Sequence, residues 1–231
     1  MAGKVMSTTI DQVFDPYPLL HGFKESFSWY KDPSANPYYS PLYYLICRIM
    51  KAQNILEIGL DAGYSSYMLG IAAKENDGMF YGVEKHEGKA RRIKKEMDLL
   101  KMPNTIIWAD SNDIKEWKWN RPLDFILLDG NHNVRTILHE ADLLYPILRN
   151  GGIVCIHDIW SWAAEAWAKI VDEFEFAGQI SFLQNFGLGI IRKKISGEKE
   201  RHEDMIDAHY GWKIADWENV TKTRTGKVEV L

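Results

Sequence analysis

Between residues 53 and 194, short apolar runs rich in β-branched residues alternate with longer stretches that have apolar residues at helical spacing. The β-like runs lie at 54–59, 79–84, 105–109, 125–128 and 152–156. Continuous apolar runs are typical of strands buried on both faces, and their alternation with helices indicates a parallel sheet covered on both sides. The sequence therefore predicts an α/β fold, which residues 180–183 and 188–192 close as a pair of strands.

The amino-acid composition changes on either side of this region. Residues 1–52 are rich in aromatic residues and proline, and a helix is predicted from Pro41 to about residue 51, because proline is favoured at a first helical position. Residues 195–231 are polar, with few apolar anchors. A chain of 231 residues is of ordinary size for one structural domain, so we expect the three segments to belong to a single domain.

Composition excludes several classes of protein. With 28 basic and 32 acidic residues the net charge is -4, which argues against a broad nucleic-acid-binding surface. No apolar run approaches the roughly 20 residues of a membrane-spanning helix, and the N-terminus lacks the apolar core of a secretion signal. Cys47 and Cys155 lie in apolar segments and are predicted to be buried free thiols. These features together predict a cytoplasmic protein.

Polar and glycine residues follow each predicted strand. In parallel sheets ligands bind at the carboxyl ends of the strands, so these residues are expected to converge on one pocket. After the first strand, a glycine turn leads into a helix whose N-terminus offers N–H groups to an anionic group. The remaining strand ends contribute acids, a serine and histidines: Glu84, Asp110, Ser111, Asp129, His132, His157 and Asp158.

The glycine turn indicates which ligand this pocket would take. A nicotinamide cofactor predicts Gly-x-Gly-x-x-Gly, whereas here the turn runs from Gly59 to Gly63 with Asp61 at its centre. An acid there would repel a pyrophosphate but could meet a cationic amino group, and Glu57 adds negative charge nearby. Glu84 can accept the hydroxyls of a ribose. The pattern therefore favours a ligand made of a ribose and a zwitterionic amino acid.

The motif Glu57-x-Gly59-x-x-x-Gly63-Tyr64-Ser65 resembles the first motif of class I S-adenosylmethionine-dependent methyltransferases. It is most similar to the catechol O-methyltransferase-like branch and to the sugar O-methyltransferases of macrolide pathways. The segments 125–132, 148–158 and 187–192 strengthen the resemblance. It implies a Rossmann-like, doubly wound, mostly parallel seven-stranded sheet with the last strand antiparallel, preceded by an N-terminal helical and aromatic cover. The domain proper would span 53–194, with the cover at 1–52 and a polar tail at 195–231.

The resemblance also implies roles in cofactor binding. The glycine turn and Ser65 would hold the methionine part of S-adenosylmethionine, and Glu84 would hold its ribose. Asp110 and Ser111 would border the adenine. The full set of candidate cofactor-binding residues is Glu57, Gly59, Asp61, Gly63, Ser65, Ser66, Glu84, Asp110, Ser111 and Asp129.

Asp129 and Asp158 correspond to two metal-ligating positions of the metal-dependent members. A third ligand usually follows the second acid directly, and that position here is Ile159. His132 falls three residues after Asp129, where the relatives carry the basic residue that deprotonates the acceptor. His132 could therefore be the general base, a metal ligand or a structural hydrogen-bonder, and His157 is expected to be structural. Asp129 and His132 are the candidate catalytic residues.

The predicted chemistry is methyl transfer to a hydroxyl of a small molecule such as a sugar or a phenol. In-line displacement at a sulfonium requires alignment, and histidine is the usual base for the hydroxyl proton at neutral pH. Mg²⁺ bound at the two acids would assist by lowering the pKa of the hydroxyl. Trp160 and Trp162 could wall the acceptor site or pack in the core. The N-terminal aromatic residues could form a lid or stack on the acceptor, or they could pack the added helix or the interface of a homodimer.

Two other functions stay open. One keeps S-adenosylmethionine but changes the acceptor to a nitrogen or a macromolecule, although the Asn/Asp-Pro-Pro-Tyr motif of N-methylation is absent. The other is a non-catalytic binding module that retains the nucleotide pocket.

Overall fold

The computed structural model of the protein describes residues 39–113, 122–182 and 186–195. Within these residues the chain forms five α-helices, one 3₁₀ turn and seven strands that alternate as predicted. In chain order they are α1 (Ser40–Ile49), β1 (Asn54–Ile58), α2 (Tyr64–Glu75), β2 (Met79–Glu84), α3 (Glu87–Leu99), β3 (Asn104–Trp108), the 3₁₀ turn (Ser111–Asp113), β4 (Leu123–Leu128), α4 (Val134–Leu144), β5 (Leu148–His157), α5 (Ala164–Glu173), β6 (Phe176–Phe182) and β7 (Leu188–Lys193).

The strands form a seven-stranded mixed sheet in the order β3-β2-β1-β4-β5-β7-β6. β2 pairs in parallel with β1 and β3, and β4 pairs in parallel with β5. β7 runs antiparallel to both β5 and β6. This arrangement confirms the predicted Rossmann-like α/β fold, including the antiparallel last strand.

The chain divides into two compact units, one ending at Asp110 and the other beginning at Ser111. In the first unit, the β1 residues Ile55 and Leu56 are fully buried, as expected for a strand covered on both faces. α3 is amphipathic and buries one stripe, whose residues are Ala90, Ile93 and Met97.

The second unit departs from the predicted boundaries at two places. The helical spacing predicts a helix over 134–148, but α4 ends at Leu144 and β5 begins at Leu148. Pro146 explains the early end, because proline has no N–H to donate and its ring clashes with the preceding helical turn. β6 begins at Phe176, four residues before the predicted start.

The predicted helix near Pro41 is confirmed as α1, in which Tyr43 is buried. Tyr39, just before it, is also buried, so both rings pack in the first unit. Apart from residues 39–52 and 195, the predicted N-terminal cover and polar tail lie outside the described residues, and the boundaries at 52/53 and 194/195 stay predictions.

Cys47 and Cys155 are buried free thiols, as predicted. Burial raises the pKa of the Cys155 thiol well above its ordinary value, so this sulfur stays protonated and packs as an apolar group. Among the described helices, none combines the length and the apolar character needed to cross a membrane.

Candidate active site

The loop from Gly59 to Gly63 is a tight turn that leads directly into α2. Gly59 and Gly63 have φ of 87° and 96°, and Asp61 between them has φ of 40°, so the turn uses left-handed backbone at three positions. The N–H of Gly63 donates to the Leu60 carbonyl at 2.8 Å. Gly63 is the N-cap of α2 and provides no side-chain cap. The N-terminus of α2 therefore has the character of an anion-binding end.

Glu84, at the end of β2, is buried beneath this loop and accepts hydrogen bonds from its backbone. It is 5% exposed, and its Oε2 accepts the N–H groups of Leu60 at 3.1 Å and Asp61 at 3.2 Å. Its Oε1 accepts the N–H of His86 at 2.8 Å. A carboxylate offers about four lone-pair positions, so the backbone takes three of them and one on Oε1 is left for a ligand hydroxyl.

Glu57, in β1, holds the start of α2. Its side chain is fully buried, and its two oxygens accept the hydroxyls of Ser65 and Ser66, the latter at 2.6 Å. A buried carboxylate is stable only when it is hydrogen-bonded, and the two serines supply those bonds. The structure thus places Glu57 behind the two serines, where it fixes the orientation of their hydroxyls.

Asp61 lies on the outer side of the loop. Its side chain is 62% exposed and pairs with Lys89 of α3. Arg92 of α3 donates to the carbonyl oxygens of Asp61 at 2.9 Å and Ala62 at 3.3 Å. α3 therefore anchors the outer side of the loop, and the predicted contact between Asp61 and a ligand amino group stays a prediction.

The left-handed conformation at Gly63 makes a testable prediction. A Cβ at this position would lie 2.7 Å from Cε2 of Tyr67, whose buried ring has little freedom to move. We expect Gly63→Ala to destabilise the protein by about 1–3 kcal/mol, measured by urea unfolding. The matched control is Gly88→Ala in α3, where nothing lies within 4 Å of an added Cβ. That substitution should stabilise by up to about 1 kcal/mol, and equal stabilities of the two variants would contradict the prediction.

Asp110 and Ser111 follow β3 in the chain. Asp110 is half-buried, and Ser111 is buried at the start of the 3₁₀ turn. Asn112 of this turn accepts a hydrogen bond from the Thr136 hydroxyl of α4 at 3.0 Å. Their predicted position beside an adenine stays a prediction.

In the second unit, four titratable residues cluster after β4 and β5. Asp129 follows β4, and His132 lies two residues before α4. His157 is the last residue of β5, and Asp158 follows it with a φ of 60° and only 4% exposure. The sequence predicts that the strand ends place these side chains near one another, and within this unit the structure does so.

His157 lies between the two acids. Its Nδ1 is 3.1 Å from Oδ1 of Asp129 and 3.0 Å from Oδ1 of Asp158. Burial alone would lower the pKa of His157, but the hydrogen bond to Asp129, the close contact with Asp158 and both negative charges raise it to about 10. His157 is therefore protonated at neutral pH.

His132 contacts the other oxygen of Asp158. Its Nδ1 lies 3.2 Å from Asp158 Oδ2, and its side chain is 35% exposed. Because Nδ1 faces a carboxylate oxygen, Nε2 is the ring nitrogen left to accept a proton. A histidine oriented by a buried acid in this way has the arrangement of a general base.

An aromatic cluster adjoins His132. The rings of His132 and Trp162 have centroids 5.3 Å apart, and Trp162 stacks on Phe186 at 5.5 Å. Trp160, Trp162 and Phe186 are 48%, 60% and 50% exposed. Core packing, one of the two readings open for the tryptophans, therefore does not describe them.

The fit of a magnesium ion can be judged from the donor set. Asp129, His132 and Asp158 each offer a ligand atom, and these atoms lie within 4.8 Å of one another. Mg²⁺, however, prefers oxygen ligands in octahedral geometry. The facing carboxylate oxygens of both acids are already turned toward His157, and Ile159 is fully buried and apolar. As arranged here, the cluster does not fit Mg²⁺.

The sequence did not predict the contacts that hold the Gly59–Gly63 loop or those of His157. It did not identify Lys89 and Arg92 as partners of the loop, and it assigned no specific partner to His157. The adjacent pair His157-Asp158 at a strand end is a signal that could have pointed to such a contact. The hydrogen bond from the Leu60 N–H to Glu84 has no comparable sequence signal.

One family model matches the central part of the chain. Residues 56–159 match a family model described as a methyltransferase domain. None of the curated proteins matches the chain at a significant level.

Solved structures with this fold include several that hold the methyl donor or its product. The chain resembles the O-methyltransferase TomG of Streptomyces achromogenes, which is involved in tomaymycin synthesis and was solved with S-adenosylmethionine; identity is 17%, the TM-score is 0.58, and the match covers 71% of this chain and 83% of TomG. It also resembles the methyltransferase PaMTH1 of Podospora anserina, solved with S-adenosylhomocysteine, at 14% identity, a TM-score of 0.60 and the same two coverages. A third neighbour is an O-methyltransferase of Bacillus cereus with S-adenosylhomocysteine, at 18% identity, a TM-score of 0.55 and coverages of 69% and 83%.

Proposed function

We propose that this chain, whose residues 56–159 match a methyltransferase-domain model, uses S-adenosylmethionine to methylate a hydroxyl group on a small ring-bearing molecule, with His132 as general base. The contact between His132 Nδ1 and the buried Asp158 carries this proposal, because it leaves Nε2 as an oriented proton acceptor.

Most of the proposed cofactor-binding residues lie in the first unit. The free position on Glu84 Oε1 suits a ribose hydroxyl, and the Ser65 hydroxyl, held by Glu57, suits the amino-acid portion. Ser66 is fully buried and would act by fixing Glu57. The N-terminus of α2 favours the carboxylate of that portion. Gly59, Asp61, Gly63, Asp110, Ser111 and Asp129 complete the proposed set of cofactor-binding residues.

The chemical step is a single displacement. The acceptor oxygen forms a bond to the methyl carbon while the carbon–sulfur bond breaks, and its electron pair stays on sulfur, which leaves S-adenosylhomocysteine. The hydroxyl proton passes to Nε2 of His132, and Asp158 stabilises the resulting imidazolium. Asp129 acts in this scheme through His157, and no step is assigned to a metal ion.

The exposed aromatic cluster of Trp160, Trp162 and Phe186 supports a ring-bearing acceptor. An aromatic face can stack on a phenol or pack against the apolar face of a sugar, and its contact with His132 would bring the hydroxyl near the base. Nothing in the described residues favours a nitrogen acceptor, and the oriented His132–Asp158 pair argues against a non-catalytic module.

The proposal is tested by incubating the protein with methyl-labelled S-adenosylmethionine and a panel of phenols and sugars. We expect label on oxygen of at least one phenol or sugar, together with stoichiometric S-adenosylhomocysteine. Transfer only to amines or to a protein or nucleic acid would overturn the assignment to a hydroxyl.

The acceptor contact makes a further prediction. Trp162→Ala should raise KM for a phenol that supports turnover by about two- to tenfold, because one aromatic contact is worth about 0.5–1.5 kcal/mol. The dissociation constant for S-adenosylhomocysteine should stay unchanged. Ile49→Ala, at an exposed apolar position in α1, is the control. An unchanged KM in a folded Trp162 variant would argue against the aromatic cluster as the acceptor wall.

A further inference from the structure

We propose that His157 takes the place between Asp129 and Asp158 that a divalent cation would fill, so that removing its imidazole converts this cluster into a metal site. The consequence for catalysis, a methyl transfer that needs no metal, rests on the proposed function, whereas the metal-binding part does not. His157 is a positioning residue in this scheme, because it acts on His132 through Asp158.

The contact distances carry the first step. A single nitrogen, Nδ1 of His157, lies 3.1 Å from Asp129 Oδ1 and 3.0 Å from Asp158 Oδ1. Two carboxylate oxygens therefore converge on this one nitrogen, and the Asp158 oxygen has no hydrogen-bond partner of its own among the described residues. A cation bound by both oxygens would meet that nitrogen, so the histidine and the ion exclude each other.

The backbone keeps the imidazole in this position. His157 ends β5, where it pairs with Leu188 of β7, and its side chain is only 15% exposed. The sheet therefore fixes the backbone of His157, and burial restricts the movement of its ring. A cation would have to displace a buried side chain to reach both acids.

The residue after Asp158 supplies no replacement ligand. Ile159 is fully buried, and the N–H of Trp160 donates to the carbonyl of Phe186 at 2.7 Å. Gly187 packs so closely here that an added Cβ would lie 2.8 Å from the Trp160 nitrogen. These contacts fix the backbone of the turn, and the metal-ligand candidates that cluster here among the described residues are Asp129, His132 and Asp158.

The two oxygens of Asp158 contact different histidines. Oδ1 faces His157, and Oδ2 faces Nδ1 of His132. A cation on Asp158 would compete with His132 for this carboxylate, whereas the close contact of His157 with Oδ1 leaves Oδ2 to His132. His157 thereby holds Asp158 in the orientation that the general base requires.

The test is titration with Mn²⁺, a paramagnetic substitute for Mg²⁺, followed by electron paramagnetic resonance. The intact protein is expected to show no saturable site, and His157→Ala is expected to bind Mn²⁺ at least roughly tenfold more tightly. His157→Ala combined with Asp129→Asn should lose the gained site. His139→Ala, on α4 and outside the cluster, is the matched control and should gain nothing.

Tight, saturable Mn²⁺ binding by the intact protein that Asp129→Asn abolishes would overturn the proposal, and this measurement needs no folded His157 variant. A folded His157→Ala without a gained site would overturn it as well. Turnover should be unchanged by EDTA in the intact protein. If no acceptor is methylated at all, the proposed function fails, while the Mn²⁺ titrations still decide whether His157 blocks a metal site.

Discussion

His132→Ala is expected to lower kcat by about 10²–10⁴-fold, the usual contribution of a general base. The ring is oriented by Asp158 Oδ2 at 3.2 Å, and alanine removes both the proton acceptor and this contact. Affinity for S-adenosylhomocysteine should be unaffected, since the groups assigned to the cofactor's ribose and amino-acid portion lie in the first unit. The measurement is single-turnover methyl transfer at saturating donor, paired with calorimetric titration of S-adenosylhomocysteine.

His139→Ala provides the control for the His132 variant, because this histidine lies on α4 and outside the cluster. It should turn over like the intact protein. His132→Ala with full turnover would remove this residue as the base and direct attention to another proton acceptor.

Glu84→Gln is expected to weaken binding of S-adenosylmethionine by about 100-fold. Glutamine has one acceptor oxygen, whereas Glu84 uses one oxygen for Leu60 and Asp61 and the other for His86. At least one backbone N–H must then face an amide NH₂, and the ligand hydroxyl loses a charged partner. Hydrogen bonds to charged groups are worth about 1.5–3 kcal/mol each, which corresponds to roughly 10–100-fold per bond.

The control for this variant is Glu87→Gln in α3. Its side chain is 44% exposed and pairs with Arg91 one helical turn away. It is therefore not one of the residues assigned to hold the loop or the cofactor. Calorimetry should show unchanged affinity for Glu87→Gln. A folded Glu84→Gln protein with the affinity of the intact chain would contradict the assignment of Glu84 to the ribose.

Much of the fold is predictable because the local rules agree with one another. Continuous apolar runs such as 54–58 and 125–128 can be buried only as strands covered on both faces, and helical stripes lie between them. The error at the end of α4 came from following apolar spacing past Pro146, where the chemistry of the backbone overrides the pattern.

Within the second unit, the sequence predicted which residues cluster, but not which of their atoms are in contact. Strand topology brings the residues after β4 and β5 into one cluster regardless of side-chain details. One nitrogen of His157 contacts two carboxylates. This contact depends on side-chain rotamers and on the register between β5 and β7, which no local sequence pattern encodes. The same holds for Glu57, whose serine partners follow it by eight and nine residues across a turn.

The most direct test of the proposed function is calorimetric titration of the intact chain with S-adenosylmethionine and with S-adenosylhomocysteine, each with Mg²⁺ and with EDTA. Saturable binding of both compounds, equally tight under the two conditions, is the predicted result. Absence of binding under both conditions would contradict the assignment of the Gly59–Gly63 loop and Glu84 to this cofactor, and with it the proposed methyl transfer.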